Sequence, residues 1–107
     1  MKLVLAIINK SDAETTIKNL VKEGFSVTKL ATTGGFLQAG NVTVLIGLDE
    51  EKLEGCLEIL KKYSHSRKEM LPVTSNLGMM YHPSIPIEIT VGGATVFVMD
   101  VERFEKI

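Results

Sequence analysis

Six consecutive apolar residues, Leu3 to Ile8, constrain this chain more than any other stretch. The run has β-branched members, Val4, Ile7 and Ile8, and no polar position on either side of a pleat. Such a run forms a strand covered on both faces. It is too short to span a bilayer, and no cleavage site follows it. A second run of the same character, Val42 to Leu48, lies in the middle of the chain. Two strands of this kind demand two layers of cover. A chain of 107 residues, the size of one domain, has few elements with which to provide them.

Two helical patterns supply the first layer. Ser11-Asp12-Ala13-Glu14 has capping-box spacing, with Ser11 at the N-cap and Glu14 reaching back. Ala13, Ile17, Leu20 and Val21 follow at helical spacing, Glu14 and Lys18 form an i,i+4 pair, and Gly24 stands where a C′ glycine ends a helix. In the second pattern Asp49 is the N-cap, Leu48 and Leu53 have the spacing of a hydrophobic staple, and Leu53, Cys56, Leu57 and Leu60 make the buried stripe. Glu50, Glu51 and Glu54 near the start, with Lys61 and Lys62 near the end, suit the helix dipole. Phe25 to Thr32 is a further strand. Ile87, Ile89 and Val91 alternate with polar residues, and Gly92-Gly93 joins them to Ala94–Met99, a hairpin signal. Residues 64–84 show no usable periodicity, yet Met70, Leu71, Leu77, Met79, Met80 and Tyr81 give them apolar surface to pack.

The expected order is β-α-β-β-α-β with an extra strand in a C-terminal hairpin: an α+β, ferredoxin-like sandwich spanning 1–107 as one domain. In that fold the helices cover one sheet face. The strand runs are apolar on both, so copies of the same chain are expected to cover the other.

Several function classes fall away on composition. Twelve basic residues balance thirteen acidic ones, and no basic block exceeds a pair, so no footprint for polymeric nucleic acid is present. A mean hydropathy of +0.19 excludes the composition of a disordered chain. The single Cys56 excludes an internal disulfide framework and fits a reducing cytoplasm; on the apolar stripe of the second helix it reads as a buried, inert thiol. His65 and His82 have no second ligand at metal spacing. Asp49, Glu50 and Glu51 are explained as helix-start chemistry. No catalytic pair, metal site or cofactor motif emerges; Gly34-Gly35 is followed by neither Gly-Lys-Ser/Thr nor Gly-x-Gly-x-x-Gly.

What remains is the stretch Thr28-Lys29-Leu30-Ala31-Thr32-Thr33-Gly34-Gly35-Phe36-Leu37, with Gly40-Asn41 beyond it. A glycine pair lets backbone N–H groups approach a ligand without a Cβ in the way. The adjacent hydroxyls can donate or accept, and Phe36 is placed to stack on a nucleobase. A glycine pair alone also suits a tight hairpin turn, and a lone Phe is ordinarily a core residue.

This stretch closely resembles the PII-like cyclic di-AMP receptor family (PstA/DarA), as does a second block, Val91-Gly92-Gly93-Ala94-Thr95-Val96-Phe97-Val98. The resemblance covers nearly the whole chain. It implies a cytoplasmic homotrimer without catalytic activity that binds cyclic di-AMP in clefts between neighbouring subunits. Two segments, 33–41 and 64–85, would change order on binding and signal to a protein partner. Carried onto this chain, Phe36 would pack against an adenine, Thr28 and Asn41 would hydrogen-bond the ligand, and backbone groups at Gly35, Leu37 and Gly47 would border it. Gly24 and Ser26 stand where characterised members often carry Asn and Arg. They keep open a second reading, a relative that senses another adenine nucleotide or only a protein partner. A small ferredoxin-like enzyme such as an acylphosphatase ranks lowest, since neither Arg67 nor Arg103 follows a glycine-rich turn.

Overall fold

The computed structural model describes residues 1–30, 40–72 and 86–107. Six strands and two helices follow in the order β1 (Lys2–Asn9), α1 (Lys10–Lys22), β2 (Ser26–Lys29), β3 (Asn41–Leu48), α2 (Leu53–Ser64), β4 (Arg67–Pro72), β5 (Pro86–Val91) and β6 (Ala94–Asp100), with one 3-10 turn at Glu50–Lys52 before α2. Four strands form the main sheet in the order β2-β3-β1-β6, and β4 and β5 form a separate two-stranded ribbon. All pairings are antiparallel. β1 and β2 are therefore parallel with β3 between them, and β3 and β6 are parallel with β1 between them. These are two interlocked split βαβ units, an α+β architecture compatible with a ferredoxin-like fold. The β4–β5 ribbon is inserted between α2 and the last strand of the second unit.

Pleat parity sorts the residues of the sheet. Val4, Ala6 and Ile8 of β1 and Val44, Ile46 and Leu48 of β3 are buried and share one face. Ala13 and Leu20 of α1 and Cys56 and Leu60 of α2 complete that core, with Ile17, Phe25, Val27, Leu53, Leu57 and Val96 packed against it. Each fully buried large aliphatic contributes about 1.5–3 kcal/mol. Polar groups drawn into this layer are paired: the Thr16 hydroxyl donates to the Asp12 carbonyl at 2.8 Å, and the Ser64 hydroxyl donates to the Leu60 carbonyl. Among the described residues no helix is long and apolar enough to cross a membrane.

The end of α1 follows the expected chemistry. Gly24 has φ +94°, its N–H bonds the Val21 carbonyl at 3.0 Å, and the Phe25 N–H bonds the Leu20 carbonyl at 3.0 Å. This pair of bonds is a Schellman motif, which fixes a glycine at position 24. The start of α1 is a correction. Asn9, not Ser11, is the N-cap: its Oδ1 accepts from the Ser11 N–H at 3.0 Å and from the Ser11 hydroxyl at 2.7 Å. Ser11 already lies inside the helix, so its hydroxyl serves the true cap. Asp49 caps the 3-10 turn without a side-chain bond. Leu48 lies in the core and Leu53 packs against it.

The C-terminal hairpin is the larger correction. β5 pairs with β4 and β6 pairs with β1, so Gly92-Gly93 carries the chain from ribbon to sheet rather than turning it back. Positive φ values of 75° and 100° at these glycines make a sharp change of direction with no pairing across it. The stretch 64–84, which shows no periodicity, begins at the last residue of α2 and contains β4 from Arg67 to Pro72. Met70 is 58% exposed and Ile87 49%, and a ribbon wetted on both sides needs no alternation of apolar and polar residues. The expected second layer of cover on the main sheet is not supplied by the described residues. Leu3, Leu5 and Ile7 are only half-buried, and Phe97 is 52% exposed.

Candidate ligand-binding face

The face of the main sheet turned away from the helices carries two kinds of residue. At its β1–β6 side is an apolar field. Leu3 lies opposite Met99 and Leu5 opposite Phe97, and Leu45 joins them from β3 through its pairing with Leu5. At its β2–β3 side the field gives way to small and polar positions. Ser26 lies opposite Gly47, and Thr28 lies opposite Leu45. One row thus runs Thr28–Leu45–Leu5–Phe97 and the next Ser26–Gly47–Leu3–Met99.

Thr28 and Gly47 are brought together on this face. They are diagonal neighbours across the β2–β3 ladder, about 7–8 Å apart by sheet geometry. Gly47 is exposed, and among the described residues the position its Cβ would take is approached only by the tip of Met1, at 3.4 Å. A flat ligand can therefore lie against its backbone. Asn41 shares the face but not the neighbourhood. It begins β3, opposite Asn9, six residues and about 20 Å of strand from Gly47. Gly35, Phe36 and Leu37 lie outside the described residues. Of the six positions that the resemblance implicates, three are on one sheet face, two of them adjacent.

Two features of the site escape sequence reading. One is the pairing of Ser26 with Gly47, set by the β2–β3 register, which no local pattern announces, although the resemblance had already pointed to Ser26 itself. Thr43 is the other. It lies on the same face between Asn41 and Leu45, is 2% exposed, and its hydroxyl has no hydrogen-bond partner among the described residues.

At the Asn41 end, Lys10, Lys18 and Lys29, with Glu14, line a cleft of about 720 Å³ on the helix side of the sheet. Electrostatics elsewhere are structural. Lys2 bonds Asp100 and lies 3.6 Å from Glu50. The Lys2 ammonium holds the Asp100 carboxyl below its ordinary range, and Asp100 in turn raises Lys2. Burial pushes the Cys56 thiol up to about 11, which makes it inert as expected. His65 is exposed, with Nδ1 3.0 Å from the Lys61 carbonyl. Among the described residues no group of three or more His, Cys, Asp or Glu is placed to hold a metal ion.

A crystal structure of a functionally unknown protein from Pediococcus pentosaceus ATCC 25745 is similar to this chain. It is 42% identical, with a TM-score of 0.77, over 99% of this chain and 96% of that one. The family model for the cyclic-di-AMP receptor matches residues 1–107, the whole chain. On that match, this protein belongs to the cyclic-di-AMP receptor family.

Proposed function

We propose that this chain is a PII-like cytoplasmic sensor that binds cyclic di-AMP between the subunits of a homotrimer. It works by binding rather than turnover, and signals to a protein partner through the order of segments 33–41 and 64–85. The observation that carries this reading is the open sheet face. Phe97 at 52% and Met99 at 39% exposure, beside half-buried Leu3 and Leu5, form an apolar field that a second copy would cover. Thr28 and Gly47 lie at the edge of that field. A ligand held there would meet neutral hydrogen-bonding groups from one subunit and the flank of the next. Phe36 would stack on an adenine, with Gly35, Leu37 and Asn41 bordering the same ligand. Arg67 supports a reading by binding rather than turnover, since its guanidinium is held by Asp12 in a two-pronged pair.

Calorimetric titration with cyclic di-AMP, beside cyclic di-GMP and ATP, tests the proposal on wild type and on Phe36→Ala. One cyclic di-AMP per chain, with affinity lost in Phe36→Ala, is the expected result. Absence of binding by the intact protein removes the ligand assignment.

Ser26 favours one second reading. It faces Gly47 with a neutral side chain, where an arginine would offer a charged fork to phosphate. A relative that senses another adenine nucleotide fits such a surface. A melting shift with ATP or ADP and none with cyclic di-AMP is the outcome that selects it.

A further inference from the structure

The first turn of α1 ties together two parts of the molecule that are far apart in sequence. The Lys10 N–H donates to the Gly40 carbonyl at 2.6 Å, and the Asn9 N–H donates to the Gly93 carbonyl at 3.3 Å. Gly40 immediately precedes Asn41 of the candidate site, and Gly93 ends the crossover from the ribbon. Two residues on, Asp12 grips Arg67 at the foot of β4. Arg67 Nη1 donates to Asp12 Oδ2 at 3.0 Å and Nη2 donates to Oδ1 at 3.1 Å, a two-pronged pair. Nη1 also donates to the His65 carbonyl at 3.3 Å.

Gly92 passes directly beneath this clamp. A Cβ there would lie 2.7 Å from Asp12 Oδ2, closer still to Arg67 Nη1, and 3.0 Å from the His65 carbonyl. Asp12 is 8% exposed, so its carboxylate is held where the guanidinium is the partner at hand. The ribbon, paired among the described strands only with itself, is thus fixed at its foot by α1, and the same helical turn fixes the end of β3 that bears Asn41.

We infer that Asp12 and Arg67 are positioning residues that couple the Asn41 end of the candidate site to the β4–β5 ribbon through the first turn of α1. Neither touches the ligand in this reading. Their effect is to make the Gly40–Asn41 backbone and the foot of the ribbon share one rigid support, so that a change at either is felt at the other. Linkage makes the coupling reciprocal. The inference rests on the proposed function only for the identity of the ligand; the coupling itself is a property of the free protein.

Amide hydrogen exchange on the ligand-free protein tests it, with Arg67→Gln to remove the charge and Arg67→Lys to keep the charge without the fork. In Arg67→Gln, exchange is expected to rise several-fold at the β4–β5 amides. It should also rise at Lys10 and Asn41, on the other side of the helical turn, while the Val4, Ala6 and Ile8 amides of β1 stay protected. Arg67→Lys should fall between wild type and Arg67→Gln. A purely local anchor would loosen the ribbon alone, so unchanged exchange at Lys10 and Asn41 overturns the coupling. The reverse arm uses Gly40→Ala, strained at φ +106° with none of the described residues within 4 Å of the added Cβ. It should raise exchange in β4–β5 of the wild-type clamp and add nothing in Arg67→Gln. With cyclic di-AMP present, Arg67→Gln should keep the ligand and lose the ribbon's response. If wild type binds no cyclic di-AMP, the ligand assignment fails while the ligand-free exchange pattern still decides the coupling.

Discussion

Replacing Phe97 with aspartate should leave a folded protomer and abolish its assembly. Phe97 lies on the open sheet face and is 52% exposed in the single chain. A phenylalanine side chain carries about 150–250 Å², so roughly 100 Å² of it meets water. Covering that area at about 25 cal/mol per Å² contributes roughly 2.5 kcal/mol per protomer, close to two orders of magnitude in an association constant. A carboxylate at the same place adds the cost of burying an unpaired charge. The protomer core stands on the other face, built from Val4, Ala6, Ile8, Val44 and Ile46, so its fold does not depend on this ring. Val21 is the matched control: it is 55% exposed, but on α1, in the layer away from the open face. Sedimentation velocity over a wide range of protein concentration reads the result. Wild type and Val21→Asp should share the mass of a trimer, and Phe97→Asp should sediment as a monomer with an unchanged far-UV spectrum. Equal masses for all three, whether trimeric or monomeric, would refute the assignment of the open face as the subunit interface.

Other outcomes follow from the same structure. Gly92→Ala should destabilise more than Gly24→Ala in chemical denaturation at a fixed protomer concentration. Both force a side chain into a positive-φ conformation, at about 1–2 kcal/mol, but only the Gly92 Cβ meets atoms inside 3 Å, those of the Asp12–Arg67 clamp; equal losses would refute the crowding. Thr43→Val should raise the melting temperature, since an unpaired buried hydroxyl costs about 1–3 kcal/mol and each kilocalorie moves a domain of this size by about 4–8 °C. A lower melting temperature would mean that the hydroxyl is satisfied after all. Cys56 should resist alkylation at pH 8 in the native protein and react at once in denaturant. Its thiol, ordinarily near 9.0, is pushed up to about 11 by burial. The unfolded chain therefore loses that proton first, and stability should fall as pH rises through about 9 and level off above about 11.

Elements with a local chemical signature were legible in the sequence, and those defined by a distant partner were not. β1 announces itself because each of its residues from Leu3 to Ile8 is apolar, and the end of α1 because Gly24 completes a motif contained within six residues. Asn9 and Ser11 are both good N-cap residues two positions apart. The choice between them rests on where β1 ends, which the β3 register settles through the Asn9–Asn41 pair. Gly92-Gly93 carries correct turn chemistry, but positive φ bends a chain equally well into a hairpin or a crossover. Which one forms depends on β1 offering an edge to β6 and β4 offering one to β5. The site shows the same division. Thr28 and Asn41 could be named from the motif that contains them. The Ser26–Gly47 pairing and the Asp12–Arg67 clamp could not, because they form only when residues 21 and 55 positions apart are registered against each other.

The two sequence blocks that resemble the receptor family, 28–41 and 91–98, are fifty residues apart along the chain yet adjoin one structural element. Gly40 at the end of the first and Gly93 in the second bond the consecutive N–H groups of Lys10 and Asn9. Phe97 of the second shares a cross-strand row with Thr28 of the first. A strand that only closed the sheet would need neither the glycine pair nor an exposed aromatic. β6 has both: its glycines let it leave the ribbon beneath a salt bridge, and its phenylalanine extends the face on which Thr28 and Gly47 lie. Geometry therefore gives the second block a double task, holding the ribbon to the helix and completing the surface beside the first block. A binding event at Thr28 and Asn41 would strain both attachments of α1's first turn, and the ribbon is the part of the described fold with the least packing to resist it.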